Sequence, residues 1–321
     1  MAVDANTVET YDNSVLRENL SEQYSMISPE EVPFQTAIGT AEAATQPHHE
    51  WSVVDLAAVD RANRVIEGDD APAVDPGTLA LRRSNYTMIV DKRVKTSHTS
   101  EASDAAAEDI EKIGKQISIK IRELKRDMEA IMLTNWEAIP GSSGNARFSA
   151  GMPAFLFTNT EGDAGGTDPT LSATDEGYPD SRANAADVPT PAPIDEVKFN
   201  TLIESCWNAG GDPTIAMVNS NNKRVISNTF TGSSTRYKDS IDKTLVNAID
   251  IYDSDFGQLS IVPNRFQPTL NADDAAPGDG LGSGDNYYVL MLDPEFAGVS
   301  FLENMRQKPL AETGHSRDRL V

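Results

Sequence analysis

The chain has 321 residues, 39% hydrophobic and 24% charged, and its 50 acidic and 27 basic residues give a net charge of −23. Nucleic-acid binding is driven by Lys and Arg that displace counterions, so this charge argues against a protein that reads nucleic-acid sequence. The one cysteine, Cys206, excludes an intrachain disulfide and a multi-cysteine metal site. The sequence has no signal peptide and no stretch of about 20 apolar residues, so we expect a soluble protein made in a reducing cytoplasm, with no membrane partner.

The first 96 residues are predicted to form an arm and then a hairpin. Residues 1–50 lack sustained periodicity and contain Pro29, Pro33 and Pro47, which indicates an extended arm. Residues 51–96 alternate as strands do on both sides of turn sequences, so the simplest interpretation is one hairpin with arms of about 50 Å. A ribbon of that length is marginal in water, and another subunit is one source of a surface that would cover it.

A long amphipathic helix is predicted next. Apolar residues recur at spacings of three and four, at Ile110, Ile113, Ile117, Ile121, Leu124, Met128 and Ile131. Ser100 or Ser103 is expected to cap this helix, which can extend to Trp136, and Glu129 is expected on its polar faces. A coiled-coil dimer and a single helix across a sheet would both give such a stripe, and the width of the apolar band favours the single helix.

The rest of the chain is predicted to be a polar loop followed by a compact mixed lobe. Residues 141–193 are rich in Gly, Ser, Thr, Asp and Pro, with one strand expected at 154–157. The elements expected after this loop are helices over 195–208 and 219–228 and strands over 214–218, 246–252, 258–263 and 286–292, with a Gly- and Asp-rich loop over 271–285. The first of these helices is expected to bury Val197, Leu202, Ile203 and Trp207.

Candidates for chemistry are few, and each has a simpler explanation. The four histidines lack metal-ligand spacing, and the adjacent His48 and His49 would point to opposite faces of a strand. Ser220 and Lys223 match a Ser-x-x-Lys nucleophile motif whose companion motifs are missing. Four acids do not fit the spacing of a standard calcium loop: Asp273, Asp274, Asp279 and Asp285. The sequence therefore predicts no enzyme, no catalytic residue, no metal and no cofactor.

The order of parts resembles that of the major capsid (major head) proteins of tailed bacteriophages. The segments that carry the resemblance to one podovirus and siphovirus branch are Arg17–Leu20 and Ile27–Phe34 in the arm, Ile251–Gly257 and Val262–Arg265 in the axial domain, and Met291–Pro294, Lys308–Gly314 and Ser316–Arg319 near the C-terminus. Together they span nearly the whole chain. The resemblance implies an α+β fold of the Hong Kong 97 type.

This resemblance implies six parts. They are an N-terminal arm (1–50), an extended loop formed by a long β-hairpin (51–98), the spine helix of the peripheral domain (99–140), a polar loop or insertion (141–193), an axial domain (194–285) and returning strands of the peripheral domain (286–321). In that branch a final strand usually follows the Ser316–Arg319 segment, whereas this sequence stops at Val321. Either the sequence shown ends early or that strand is absent.

The resemblance also implies a function. Copies are expected to form pentamers and hexamers of an icosahedral capsid around double-stranded DNA, which is bound without sequence specificity. Scaffold, portal and decoration proteins are further partners, and the expected location is the virion, after assembly in the cytoplasm of a bacterial host. The inter-subunit contact candidates are Phe34, Trp51, Arg61, Arg64, Arg82 and Arg83. Each arginine taken singly is equally well explained as a solvated charge at a strand edge that blocks aggregation.

Two other functions compete with this interpretation. An encapsulin-type nanocompartment shell protein shares the fold but encloses a cargo enzyme instead of a genome. An acidic secreted hydrolase would need two carboxylates at a fixed separation in a cleft, and a signal peptide that the sequence lacks. The capsid interpretation is preferred because the quoted segments occur in the order of the capsid proteins.

Overall fold

The structure is a computed structural model that describes residues 28–68, 70, 77–103, 110, 112–161, 169–172, 177–180, 194–230, 249–268, 288–312 and 314–321. The chain divides into two compact units. The smaller unit comprises Met1–Glu31, Asp91–Lys125 and Met305–Val321, and the larger unit comprises Val32–Val90 and Arg126–Asn304. Three parts of the sequence analysis lie outside the described residues: the four acids that do not fit a calcium loop, the predicted strand residues 246–248 and the arm segment Arg17–Leu20.

Helices and strands are mixed along the described residues, as expected for an α+β fold. The helices are α1 (Pro33–Ile38), α2 (His98–Ala102), α3 (Ile113–Leu133), α4 (Glu196–Asn208) and α5 (Ser220–Thr229). The strands are β1 (His48–Val53), β2 (Leu81–Tyr86), β3 (Arg93–Ser97), β4 (Ile215–Val218), β5 (Ile251–Ser254), β6 (Gly257–Pro263), β7 (Val289–Leu292), β8 (Lys308–Pro309) and β9 (Ser316–Leu320). None of the helices in the described part of the chain is long and apolar enough to span a membrane.

A four-stranded sheet organises the larger unit, in the order β5-β6-β4-β7. Strand β4 runs parallel to β6 and antiparallel to β7, and it is buried on both faces, which explains its unbroken apolar run. The predicted strands 214–218 and 258–263 and the predicted helix 219–228 are confirmed to within a residue or two. The Asn219 side chain caps α5 by accepting a hydrogen bond from the Asn222 backbone N–H at 2.9 Å.

Each face of this sheet carries its own core, because side chains alternate along β4. Ala216 and Val218 face one cluster of buried residues, together with Phe199 and Ile203 of α4. Met217 faces the opposite cluster, which also contains Phe34, Leu133, Leu290 and Leu292. The sheet is therefore covered on one face by α4 and α5 and on the other by the end of α3 and by α1.

The predicted apolar face of α4 is partly wrong. Phe199 and Ile203, four residues apart, turn towards the sheet, whereas Val197 is 69% exposed and Trp207 is 54% exposed. Two residues before Phe199, Val197 lies about 200° around the helix and so faces away from the core. Trp207 lies in the last turn of α4, where its ring is 5.5 Å from that of Phe256.

The long predicted helix is confirmed as α3, with different ends. Its 21 residues span about 31 Å, and it stops at Leu133 rather than Trp136. The Thr134 hydroxyl donates a hydrogen bond back to the Ala130 carbonyl at 2.7 Å. The predicted caps are wrong for the described residues: Ser97 caps the separate short helix α2, and Ser103 lies at the C-terminal end of α2.

A three-stranded sheet with the order β3-β9-β8 forms in the smaller unit. The prediction that residues up to 96 form the second arm of the hairpin is wrong, because β3 pairs with β9, with Arg93 opposite Leu320 and Ser97 opposite Ser316. Strand pairing over such a distance leaves no local trace in the sequence. The quoted Ser316–Arg319 segment is itself the central strand of this sheet.

The predicted hairpin is confirmed but is shorter than expected. Strands β1 and β2 pair antiparallel from His48 opposite Tyr86 to Val53 opposite Leu81, a ribbon of about 20 Å instead of about 50 Å. The residues that follow β1 are rich in Ala, Asp and Asn, which strands disfavour. The strand expected at 154–157 is also wrong, because a 3-10 helix at Met152–Phe155 begins with Pro153 in its first turn.

Candidate assembly surfaces

The loop between β1 and β2, residues 54–80, presents several large apolar side chains to solvent. All of its described residues are exposed. Its large apolar side chains are 59% to 88% exposed: Val54, Leu56, Val59, Val65, Ile66 and Leu79. A soluble monomer rarely presents so many apolar side chains in one segment, so this β1–β2 loop is a candidate surface for protein association.

The root of the β1–β2 loop is held firmly in the larger unit. The His48 ring stacks on Tyr86 with centroids 4.5 Å apart, and Tyr178 packs edge-on against Tyr86 at 5.2 Å. The Asn85 side chain accepts a hydrogen bond from the Ala150 backbone N–H at 2.9 Å. Both faces of the β1–β2 ribbon thus contact the rest of the larger unit, and the β1–β2 loop extends from this anchored ribbon.

Gly177 permits a close approach at this root. Its φ of +78° lies in the left-handed region, and a Cβ at this position would lie 2.7 Å from the Arg82 carbonyl oxygen. Only glycine satisfies both conditions without strain. The segment around Tyr178 can therefore lie directly against β2.

The predicted contact residues of the ribbon divide into two groups. Trp51 is 39% exposed with its ring 6.0 Å from Phe155. Arg82 lies 3.8 Å from the Glu50 carboxylate, and the Arg83 guanidinium lies 5.8 Å from the centre of the Phe157 ring. These three side chains contact their own chain at the root.

Arg61 and Arg64 form the second group. Both are exposed in the β1–β2 loop and form no ion pair with any other residue in the described ranges. Within the loop, the nearby Asp60 carboxylate accepts a hydrogen bond from the Ala62 backbone N–H at 2.7 Å. The structure thus brings the two loop arginines together with the exposed apolar side chains of the same segment.

Phe34, the remaining contact candidate, is a core residue. It is 2% exposed and packs with Leu133, Met217 and Leu290. Its side chain has almost no surface left for a neighbouring subunit. What it fixes is the position of α1, the first helix after the described start of the arm.

Glu129 anchors the same helix and was missed by sequence reasoning. Its side chain is fully buried, and its carboxylate accepts hydrogen bonds from the backbone N–H groups of Phe34 at 2.6 Å and Gln35 at 3.0 Å. The Asn264 amide donates a third, at 2.7 Å. Glu129 therefore caps α1 from a distant part of the chain, since the first N–H groups of a helix lack internal partners. No sequence signal shows this, because the helical pattern places Glu129 on a polar face.

Asp318 is the corresponding buried carboxylate of the smaller unit. It is 2% exposed and accepts hydrogen bonds from the Arg93 guanidinium, with Nε 2.9 Å from Oδ1 and Nη2 also in contact. Hydrogen bonding to Arg93 lowers the pKa of the Asp318 carboxyl, and the same bonds raise the pKa of Arg93. The pair joins β3 to β9.

A comparison with protein families identifies the family of the chain that carries these surfaces. Residues 4–321 match the family model described as SU10 major capsid protein. The chain belongs to the SU10 major capsid protein family. It is therefore a major capsid protein of a tailed phage and a component of the phage capsid. Comparison with curated protein sequences gives no match.

Solved structures show the fold of this capsid protein. A chain of Mycobacterium phage Ogopogo is similar with a TM-score of 0.53 at 8% identity, covering 98% of this chain and 93% of its own. A chain of Gordonia phage Cozz is similar with a TM-score of 0.51 at 11% identity. The match covers 99% of this chain and 90% of the Cozz chain. The likeness extends over nearly the full length of each chain, so the α+β fold of phage capsid proteins is confirmed.

The remaining chemical candidates have structural roles in this capsid protein. The Lys223 ammonium donates to the Asp250 carboxylate at 2.9 Å and to the Ile261 carbonyl at 3.0 Å, and it also contacts the Ile249 carbonyl. Cys206 is partly buried, and burial raises the pKa of its thiol. Across the described ranges, no group of three or more His, Cys, Asp or Glu side chains is placed to hold a metal ion.

Proposed function

We propose that copies of this capsid protein assemble into pentamers and hexamers, which form an icosahedral head around packaged double-stranded DNA. The observation that carries the proposal is the exposed apolar β1–β2 loop, which in this fold lies over a neighbouring subunit. Each contact can be weak, because a closed shell makes many contacts at once and its stability comes from their number.

Charge determines the proposed relation to DNA. A net charge of −23 repels phosphates on average, so the genome is held without sequence-specific contacts. Scaffold, portal and decoration proteins complete the proposed set of partners, and assembly takes place in the cytoplasm of a bacterial host. The role is structural, with no enzymatic activity.

The contact candidates take different parts in this proposal. Arg61 and Arg64 contact acidic surface of the neighbour, because arginine side chains presented to an acidic protein gain from charge complementarity. Trp51 contributes apolar area at the start of the loop. Arg82 and Arg83 stiffen the root, and Phe34 acts indirectly by fixing α1. Residues 1–50 keep the proposed role of arm. The proposed extended loop is the ribbon of β1 and β2 with the residues between them, because Arg93–Ser97, at the end of the predicted range 51–98, pairs with β9. An encapsulin-type shell is not favoured, because the family match is to a phage capsid protein.

A double substitution in the β1–β2 loop tests the proposal. Leu56→Asp with Val59→Asp should abolish shells and capsomers, since these side chains are 83% and 88% exposed and contribute to contacts rather than to the core. The thermal unfolding of the free subunit should not change. The measurement is negative-stain electron microscopy with light scattering on the same sample.

The matched control keeps the loop apolar. Leu56→Met with Val59→Ile should assemble as the natural chain does, because the buried apolar area at the contact is preserved. Normal shells from the Asp double variant would contradict the role given to the loop. A natural chain that stays monomeric at all salt concentrations would contradict self-assembly itself.

A further inference from the structure

The basic residues of this acidic chain are concentrated in the segments that build the smaller sheet. Residues 91–97 and 305–321 carry seven Lys and Arg against three Asp and Glu, a net charge of +4, whereas the whole chain carries −23. These two segments contain all three strands of the sheet, β3, β9 and β8. The fold thus collects positive charge in one place.

The strand register puts three of these cations on one face of the sheet. Arg93 and Lys308 both lie opposite Leu320, and Lys95 lies opposite Asp318. Residues directly opposite each other in antiparallel strands point to the same face. Arg93, Lys95 and Lys308 are all exposed there, and we refer to these three residues as the basic face.

One cation of the basic face, Arg93, is preorganised. Asp318, the carboxylate on this face, is buried and holds Arg93 by two guanidinium nitrogens, while the Arg93 side chain stays 60% exposed. A cation fixed in this way loses little side-chain freedom when it binds a partner. On the other face of the same sheet, Arg317 is already bound to Glu101 at 3.0 Å.

We propose that the basic face docks on an acidic surface of a second copy of this capsid protein. The inference rests on the proposed self-assembly and names a contact for it. Outside residues 91–97 and 305–321, the chain carries 20 basic and 47 acidic residues, so every copy offers acidic surface to a basic partner. DNA is the less favourable occupant, because its phosphates would also approach the strongly acidic remainder of the chain.

Removal of two cations tests the inference, with a control variant of the same net charge. Lys95→Gln with Lys308→Gln removes two cations of the basic face and leaves the Arg93–Asp318 pair in place. The control, Lys115→Gln with Lys125→Gln, removes two exposed cations from α3 in the same unit. At about 0.1 M salt the test variant should assemble about three- to tenfold more slowly than the control by light scattering. The difference should vanish at about 1 M, where the Debye length is about 3 Å.

A crosslinking measurement gives an answer that does not depend on a variant folding correctly. Shells are formed from equal amounts of 14N- and 15N-labelled natural chain and treated with a zero-length carbodiimide, which joins lysine amines to nearby carboxylates. Peptides containing Lys95 or Lys308 should be linked to Asp or Glu peptides of the other isotope. Links of one isotope only, or none, would overturn the inference.

The outcomes separate this inference from the proposed function. Natural-chain shells together with normal low-salt assembly of Lys95→Gln/Lys308→Gln would contradict the inference alone. Capsomers that bind a short DNA duplex through these two lysines would also overturn it, by assigning the basic face to DNA. A natural chain that forms no assembly would contradict the proposed function and the inference together.

Discussion

Glu129 shows how a single residue can fix the position of a helix in a capsid subunit. Its carboxylate is buried, and its described partners are all N–H donors, from two backbone groups of α1 and from Asn264. A carboxylate at a helix N-terminus is stabilised by the unpaired N–H groups and by the helix dipole. One side chain therefore links α1, α3 and the residue that follows β6.

Replacing Glu129 by Gln should destabilise the subunit by about 1–3 kcal/mol, because an amide NH2 would meet N–H donors where an oxygen now accepts. The measurement is urea unfolding of the free subunit. The matched control is Glu123→Gln on the same helix, where the lost contact is a partly exposed pair with Lys120 at 2.7 Å and the cost should be below about 1 kcal/mol. Equal effects of the two substitutions would contradict the anchoring role.

Asp318 should make stability depend on pH. Hydrogen bonding to Arg93 lowers its pKa in the folded chain below the value of about 3.9 expected when the chain is unfolded. Its contribution is therefore present above about pH 4 and is lost as the pH falls through the folded-state pKa. The difference in unfolding free energy between the natural chain and Asp318→Asn should be larger at about pH 7 than at about pH 3.

The control for this pH dependence is Asp55→Asn, which changes an exposed carboxylate of the β1–β2 loop. The free energy of unfolding of Asp55→Asn should differ little from that of the natural chain at both pH values, since surface charges contribute little to stability. An Asp318→Asn difference that stays constant across the pH range would show that the Arg93 pair does not stabilise the fold.

At the scale of elements, the end of α3 and the 3-10 helix at Met152–Phe155 meet at Gly151. A Cβ on Gly151 would lie 1.8 Å from the Thr134 carbonyl oxygen. Gly151→Ala should therefore force the two elements apart at a cost of about 1–3 kcal/mol, which lowers the Tm by at least about 2 °C. Gly144→Ala, where a Cβ would meet nothing within 4 Å, should leave the Tm nearly unchanged. Thermal melts that coincide for both variants would contradict the close approach.

Elements with a strong local period were predictable from the sequence. Helix α3 follows its spacing of apolar residues, and β4 follows its buried apolar run. Strand β6 follows its alternation, with Leu259 and Ile261 buried and the polar residue that precedes each of them exposed. The partner of β3 was not predictable, because Arg93 and Asp318 are 225 residues apart and pairing at that distance leaves no pattern in either strand. The prediction that Trp207 is buried was also wrong, since hydrophobicity alone does not show whether an apolar residue of α4 faces the core or the solvent.

The candidate surfaces were predictable only in part. The resemblance to capsid proteins directed attention to the β1–β2 loop and its arginines, and the exposure of Arg61 and Arg64 is consistent with that role. It did not distinguish Phe34, a core residue, from the loop residues. The buried roles of Glu129 and Asp318 could not be predicted from the sequence, because the groups that bind these carboxylates come from distant parts of the chain and meet them only on folding.

At the scale of the whole molecule, two kinds of attraction have to overcome the repulsion between copies of an acidic chain. The β1–β2 loop offers apolar contact, which salt does not screen. The basic face offers charge contact, which is weaker beyond a Debye length of about 10 Å at 0.1 M salt. Salt also screens the general repulsion between copies. Added salt should therefore slow assembly if attraction through the basic face outweighs that repulsion, and speed assembly if the repulsion is the larger effect.

The position of β9 in the chain has a consequence for the timing of synthesis. Strand β3 emerges from the ribosome long before its partner, since Arg93 and Asp318 are 225 residues apart. At about 5–20 residues per second, β3 waits roughly 10 to 45 s for β9. The cations of the basic face come together only after that delay. Nascent chains on one messenger RNA are thus kept from engaging each other through this face until each has been translated past β9.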